Sequence, residues 1–261
     1  MHCSFCHGHS RAPRRMNEAE FSRVLEQLDG QTSYIYYHLM GEPLTHPELP
    51  KFIKTAQERG FNSVVTTNGT LLHDRGQALL DAGVYKVSVS LHSFENGTDE
   101  AFERYISGVT DFAERASARG VIVVLRLWNN GHDCGKNGII YDMLRARIGG
   151  EWAKNSRGIR IHDKLHLEWG DRFVWPDISA ADTGEGVFCY GLLDHFGILA
   201  DGTVVPCCLD SDGVIALGNI FEQNIEDILN SPRARAIFEG FSSHRANEEL
   251  CRKCGYAKRF K

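Results

Sequence analysis

The sequence predicts an α/β protein with parallel strands, on three observations. Short β-prone runs alternate with helical stretches at about thirty residues per unit through the first 130 residues, the spacing of strands joined by helical crossovers. The strands hold apolar runs such as Val121-Ile122-Val123-Val124-Leu125, as strands covered on both faces should. The unusual polar residues gather where strands end.

In chain order, residues 17–28 place apolar side chains at helical spacing and stop at Asp29-Gly30. Residues 33–40 are aromatic and β-prone, a strand that runs into Gly41-Glu42-Pro43. A helix over 50–59 closes at Gly60, a strand over 62–67 ends in Asn68-Gly69, and a helix over 71–82 closes at Gly83. Residues 85–91 alternate as a strand, a long helix runs through Ala118, and 121–127 is the next strand. A helix over 141–148 and one or two strands within 158–169 follow. Residues 171–186, with Pro176 and Gly184 among polar neighbours, read as a linker between a first domain over 1–170 and a small α+β domain over 187–261. In the latter, two β runs flank Asp201-Gly202, a hairpin signal, and 220–238 contains a helical stretch. Either a barrel or an open doubly wound sheet fits the first domain. In both, ligands sit at the carboxyl ends of the strands.

Composition narrows the function classes. The 261 residues are 42% hydrophobic and 24% charged, which excludes disorder as the main state. A net charge of -5 argues against a dedicated nucleic-acid or anionic-membrane binder. No apolar run approaches the roughly 18 residues of a membrane helix, and the N-terminus is unlike a secretory signal, so a cytoplasmic location is expected.

Eight cysteines are clustered: Cys3 and Cys6, Cys134 alone, then Cys189, Cys207, Cys208, Cys251 and Cys254. Two terminal groups around a cysteine-poor middle point to two metal sites rather than to disulfides. Thiolates spaced as Cys3 and Cys6 can ligate one centre from a tight loop, and soft sulfur selects zinc, copper(I) or an iron–sulfur cluster. Alone, the pair is as consistent with zinc or a redox couple.

Taken together, the motifs resemble those of the radical S-adenosylmethionine (SAM) superfamily. Cys3-Ser4-Phe5-Cys6 matches the second half of its CxxxCxφC loop, φ being aromatic; Met40-Gly41-Glu42-Pro43 resembles its GGEP motif; Thr66-Thr67-Asn68-Gly69 and Val89-Ser90-Leu91 resemble its third and fourth strand ends. The resemblance spans most of 1–130 and implies a partial (β/α)6 barrel. One departure stands out. The family's first cysteine would lie two positions ahead of Met1, with a strand before it, which implies a start assigned inside the motif; His2, His7 or His9 as third ligand, or loss of the cluster, are the alternatives. Cys189, Gly202 followed by Cys207 after four residues, and Cys251-Arg252-Lys253-Cys254 resemble the SPASM extension, and with no later cysteine they fit its shorter twitch form. Its ligands would be Cys189, Cys207, Cys251 and Cys254, with Cys208 as a spare expected to point elsewhere, ligand exchange between Cys207 and Cys208 being the alternative. Four thiolates suit [4Fe–4S] and structural zinc alike.

What the resemblance implies is a [4Fe–4S] cluster on Cys3, Cys6 and a third ligand, holding SAM and cleaving it reductively to a 5′-deoxyadenosyl radical that takes hydrogen from a small-molecule or peptide substrate. An auxiliary [4Fe–4S] cluster would accept an electron in a net oxidation, and a flavodoxin or ferredoxin would donate the first one. Phe5, Gly41, Glu42, Pro43, Thr67, Asn68, Ser90 and Arg126 would hold SAM, Glu42 and the nearby carbonyls at its ammonium and Arg126 at its carboxylate. The bland readings are a turn for Gly-Glu-Pro and Asn-Gly, an ordinary strand-end serine, and an ion pair for Arg126. His38 reads as a core histidine and Cys134 as a loop thiol. Glu168, Asp194 and His195 are candidates for the substrate step. The rival class is a zinc- or cluster-stabilised scaffold on a decayed fold; a further rival keeps the cluster and uses SAM as a methyl donor or structural ligand.

Overall fold

The computed structural model describes residues 3–182 and 184–260, so His2, one of the alternative ligands, lies outside the described residues. The chain forms two compact units: one takes in residues up to Cys6, Thr32–His38 and Glu42–Arg172; the other His7–Gln31, Leu39–Gly41 and Phe173 onward.

The first unit is built on a seven-stranded sheet. Its strands are β1 (Tyr34–Tyr37), β2 (Asn62–Thr67), β3 (Lys86–Ser90), β4 (Ile122–Asn130), β5 (Ala153–Asn155), β6 (Gly158–His162) and β7 (Leu165–Asp171), in the order β1-β2-β3-β4-β7-β6-β5. The first four and β7 run parallel, and β5 and β6 add an antiparallel edge. Helices α2 (Leu49–Glu58), α3 (Leu72–Asp81), α4 (Asp99–Ala118) and α5 (Lys136–Arg147) make the crossovers. This is the expected α/β fold with a mostly parallel sheet.

Strand parity divides the sheet into two faces. Val65, Val87, Val89, Val123, Leu125, Leu127, Leu165 and Leu167 point to one side and share a core with Leu79, Ile106, Val109 and Phe112 of α3 and α4. The alternate positions, Lys86, Ser88, Ser90, Arg126, His166 and Glu168, share the other, polar face. The turn after β2 depends on Gly69. Its φ is +82°, and an added Cβ would lie 2.8 Å from Val89.

Two expected elements differ. The helix expected over 141–148 begins at Lys136, and β4 continues to Asn130 through a register shift after Leu127, beyond its expected end.

The second unit contains α1 (Glu18–Leu28), a three-stranded sheet in the order β10 (Gly218–Asn219), β9 (Thr203–Val205), β8 (Gly197–Ile198), and helices α6 (Ile225–Leu229), α7 (Pro232–Ser242) and α8 (Glu249–Arg252). Helix α1 opens with a capping box, in which the Asn17 side chain accepts from Glu20 N and the Glu20 side chain accepts from Asn17 N. It is tied to α6: Ile225 N–H donates to the Gln27 side chain at 3.0 Å and Gln31 donates to Glu226 at 3.1 Å. The hairpin turn uses Gly202 at φ +87°, where a Cβ would meet Asn219 and Phe221 at 2.5 Å. The stretch expected as a linker is bonded along this unit. Gly255 N–H donates to Val174 O, Ala246 N–H to Glu185 O, and Arg252 Nε to Asp182 at 2.8 Å. Among the described residues no helix is long and apolar enough to cross a membrane.

Candidate functional site

Cys3 and Cys6 sit in one tight turn, closed by Cys6 N–H donating to Cys3 O at 3.1 Å. The turn is seated at the carboxyl end of β3. Cys3 Sγ lies 3.5 Å from Ser93 O, while the Ser93 hydroxyl donates to Ser90 O at 2.6 Å. The Glu95 carboxylate accepts from both Ser4 N–H (2.5 Å) and Ser4 Oγ (2.7 Å). Arg172 pairs with Glu95 at 3.6 Å and lies 5.0 Å over the Phe5 ring, and the His92 ring packs against Phe5 at 5.2 Å between centroids. Burial, then the Glu95 and Cys6 charges, push the Cys3 thiol up to about 11. Ligation of a metal here would release that proton.

Two thiols do not make up the three-thiolate ligation that the resemblance implies. Among the described residues no three His, Cys, Asp or Glu side chains converge on a point that would hold one metal ion. His7 stacks on Trp175 at 6.3 Å, an alternative use of its ring, and Cys134 is an exposed loop thiol at φ +49°.

Next to the thiol turn, three parallel strands place Ser90, Arg126 and Glu168 in one register row on the polar face. The Arg126 guanidinium is held between Ser88, to whose hydroxyl it donates at 2.9 Å, and the Trp128 ring, 4.7 Å away. Fixed there, it presents a positive group at the strand ends, suited to a carboxylate. Lys86 and His166 share this face below the row, and burial lowers the proton affinity of both.

The Gly-Glu-Pro and Thr-Asn-Gly motifs meet through Glu42. Its carboxylate accepts from Thr67 Oγ1 (2.7 Å), Asn68 N–H (2.7 Å) and Leu44 N–H (3.1 Å). Pro43 starts the short 3₁₀ turn that follows, and Gly41 precedes it at φ +97°. Parity turns Thr67 toward the helices, where it is 2% exposed, and the Asn68 side chain caps its own turn by accepting from Thr70 N–H and Oγ1. These residues brace the strand ends in this structure.

Sequence reasoning passed over His92, Glu95 and Trp128. His92 Nδ1 faces Trp128 N–H at 3.2 Å and Arg126 O at 3.1 Å, where the β4 register shifts, so it fills the break in the ladder. Burial, its largest influence, lowers its proton affinity. The only signal was its place in Ser90-Leu91-His92-Ser93 at a strand end.

In the second unit, Cys189, Cys207, Cys208, Cys251 and Cys254 line a single cavity of about 240 Å³. Phe241, Leu250 and Ile215 supply apolar wall, and burial pushes all five thiols up. Backbone groups address the sulfurs: Gly191 N–H lies 3.5 Å from Cys189 Sγ, and the backbone at Leu209 and at Tyr256 and Ala257 works against the effect of burial at Cys207 and Cys254. Half-buried thiols around one space, with backbone groups that favour the thiolate form, fit an iron–sulfur cluster. Cys208 departs from expectation. The chain bends and turns at 207–209 instead of continuing extended, so consecutive side chains reach the same cavity. Asp194 and His195 line this cavity too, paired with each other, while Glu168 belongs to the first unit.

Comparison with known proteins agrees with both halves. A model of the radical SAM superfamily matches residues 1–129, and a model of the SPASM iron–sulfur cluster-binding domain matches residues 189–255. The S-adenosyl-L-methionine-dependent 2-deoxy-scyllo-inosamine dehydrogenase of Niallia circulans is 25% identical over 92% of this chain and 80% of its own length. The Fe-coproporphyrin III synthase of Methanosarcina barkeri is 26% identical over 71% of the chain, which spans 46% of that protein's length. The crystal structure of BtrN in complex with AdoMet and 2-DOIA shares the fold, with a TM-score of 0.59 at 21% identity over 94% of this chain and 84% of that one.

Proposed function

We propose, for a chain that belongs to the radical SAM superfamily and carries a SPASM iron–sulfur domain, that it is an oxidoreductase acting on a small-molecule or peptide substrate. The observation that carries this reading is the thiol turn of Cys3 and Cys6 seated at strand ends beside the row Ser90–Arg126–Glu168. In this superfamily a SAM-bound [4Fe–4S] cluster supplies reductive cleavage of SAM to methionine and a 5′-deoxyadenosyl radical, which removes a substrate hydrogen atom. Cys3 and Cys6 provide two of its three thiolates.

The chain's own residues have separable tasks. Arg126 pairs with the SAM carboxylate, with Ser88 and Trp128 keeping its guanidinium from turning away. Ser90 offers a hydroxyl to the same ligand. Phe5, packed against His92 and Arg172, gives an apolar surface to the adenine. Glu42 holds the two loops around the ligand in register through Thr67 and Asn68. Glu168, next to Arg126 in the row, is the proton acceptor for a substrate oxidised by two electrons. Cys189, Cys207, Cys251 and Cys254 would hold an auxiliary [4Fe–4S] cluster, which supplies an acceptor for the second electron. Asp194 and His195 line that cavity as a hydrogen-bonded pair, a second candidate for proton handling. A flavodoxin or ferredoxin would supply the reducing electron.

Anaerobic reconstitution with iron and sulfide, followed by dithionite and SAM, tests the proposal by chromatography of the products. Release of 5′-deoxyadenosine supports it. The rival is a zinc- or cluster-stabilised scaffold on this fold. A colourless chain that binds zinc and releases no deoxyadenosine would establish that rival instead.

A further inference from the structure

A [4Fe–4S] cluster has four irons and takes one thiolate on each, yet five thiols line the cavity of the second unit. The surplus arises at one place, the consecutive pair Cys207 and Cys208. Both are half-buried there, at the turn that follows β9. Their surroundings overlap: Cys207 feels the charges of Cys208, Cys251 and Cys189, and Cys208 those of Cys189 and Cys254. Both line the cavity that Cys189, Cys251 and Cys254 also line. A side chain that merely filled the core would have no reason to look into the sulfur-lined space, and an extended backbone at 207–208 would have sent it the other way.

Resting on the reading of this cavity as an iron–sulfur site, we infer that Cys207 and Cys208 are alternative ligands to one and the same iron. The exchange is balanced without redox change. The iron–sulfur bond to Cys207 breaks as the bond to Cys208 forms, and the proton of the Cys208 thiol passes to the released Cys207 sulfur. Two complete ligand sets result, Cys189, Cys251 and Cys254 with either member of the pair. The device makes one corner of the cluster labile while the other three stay fixed. The fixed corners are set by different elements: Cys189 by the N–H of Gly191, and Cys251 and Cys254 by α8 and the turn after it.

The test uses the full chain in a Cys3→Ala/Cys6→Ala background, so that iron reports on this cavity alone, reconstituted anaerobically. The background should hold about four irons per chain with the brown absorption of a cluster. Cys207→Ala and Cys208→Ala should each retain most of that iron, whereas the double substitution should lose it, as should Cys254→Ala. Alanine is chosen because a serine oxygen can itself ligate. Since loss of a cluster can also unfold the unit, thiol alkylation of the reconstituted background chain gives a second readout. Beyond the label on the exposed Cys134, one label per chain, divided between Cys207 and Cys208, is expected. Loss of iron in Cys207→Ala alone, or label found on Cys208 and never on Cys207, overturns the exchange and leaves the cluster reading standing. A background chain that holds no iron overturns both.

Discussion

Replacing Glu42 separates its bracing role from its role as a ligand for SAM. The carboxylate accepts three hydrogen bonds, two at 2.7 Å from Thr67 Oγ1 and Asn68 N–H and one at 3.1 Å from Leu44 N–H. Hydrogen bonds to a charged group contribute about 1.5–3 kcal/mol each, so the nominal loss in Glu42→Ala over three bonds is about 4.5–9 kcal/mol. Two effects reduce it: the Thr67 hydroxyl can turn to another acceptor, and water reaches the half-buried site. About 3 kcal/mol remains. Glu42→Gln keeps one oxygen but sets an NH₂ against either Asn68 N–H or Leu44 N–H, for a loss of about 1–2 kcal/mol. With a denaturant slope of about 2 kcal/mol/M, the alanine variant should move the urea midpoint of the first unit down by about 1.5 M. Tryptophan fluorescence reads that unit preferentially, since Trp128, Trp152 and Trp169 lie in it and Trp175 in the other. An unmoved midpoint in Glu42→Ala, with SAM binding lost, would refute the bracing role and make Glu42 a ligand alone.

Three further outcomes are expected. Arg126→Gln removes the charge held by Ser88 and Trp128 and should weaken SAM binding about 10–100-fold by titration calorimetry, the equivalent of about 1.4–2.8 kcal/mol; an unchanged Kd would remove Arg126 from the site. Burial lowers the folded pKa of His92, so between that value and the ordinary ~6.5 the unfolded chain binds more protons than the folded one; stability then rises with pH through this window and is lost as pH falls, and His92→Asn should flatten the acid limb measured by urea midpoints from pH 7 to 5, with the same-signed contribution of His166 remaining. Glu95→Ala frees Ser4 and withdraws a negative charge that helps to raise the Cys3 thiol, so alkylation of Cys3 at pH 8 should accelerate by about tenfold or more, and equal rates would show that Glu95 does not hold the turn.

The layer of strands and helices was legible because its signals are local. Apolar periodicity and turn residues marked β2, β3, α1, α2, α3 and the end of α4 nearly to the residue, and found β1 and β4 with their carboxyl ends about three residues out. The helix that starts at Lys136 escaped because Gly138 and the polar residues of its first turn dilute the pattern that the later turns show. The thiol groups were legible as spacing, but the orientation of Cys208 was not, since it depends on a bend at 207–209 that no adjacent residue announces. The role of Thr67 required parity. Neighbours at 66 and 67 are chemically identical, and only the register of Val65 with the core tells which threonine faces the helices. His92, Glu95 and Trp128 act through partners distant in sequence, Glu95 on Ser4 across 91 positions, so no local pattern could assign them.

The site row and the core are two readings of one ladder. Ser90, Arg126 and Glu168 are paired in register, and the adjacent rung in the same strands is Val89, Leu125 and Leu167, all fully buried. Because side chains alternate, a slip of one residue in β4 would carry Arg126 into the apolar core and Leu125 onto the polar face. Burying that guanidinium without a carboxylate partner, while exposing Leu125 and its neighbours Val123 and Leu127, would cost several kcal/mol. The competing register is thus excluded by the core rather than by any contact among the polar residues. Precision at the site therefore follows from hydrophobic burial on the opposite face. It also follows that enlarging or emptying the core near Leu125 should disturb the placement of Arg126, although the two side chains point to opposite faces.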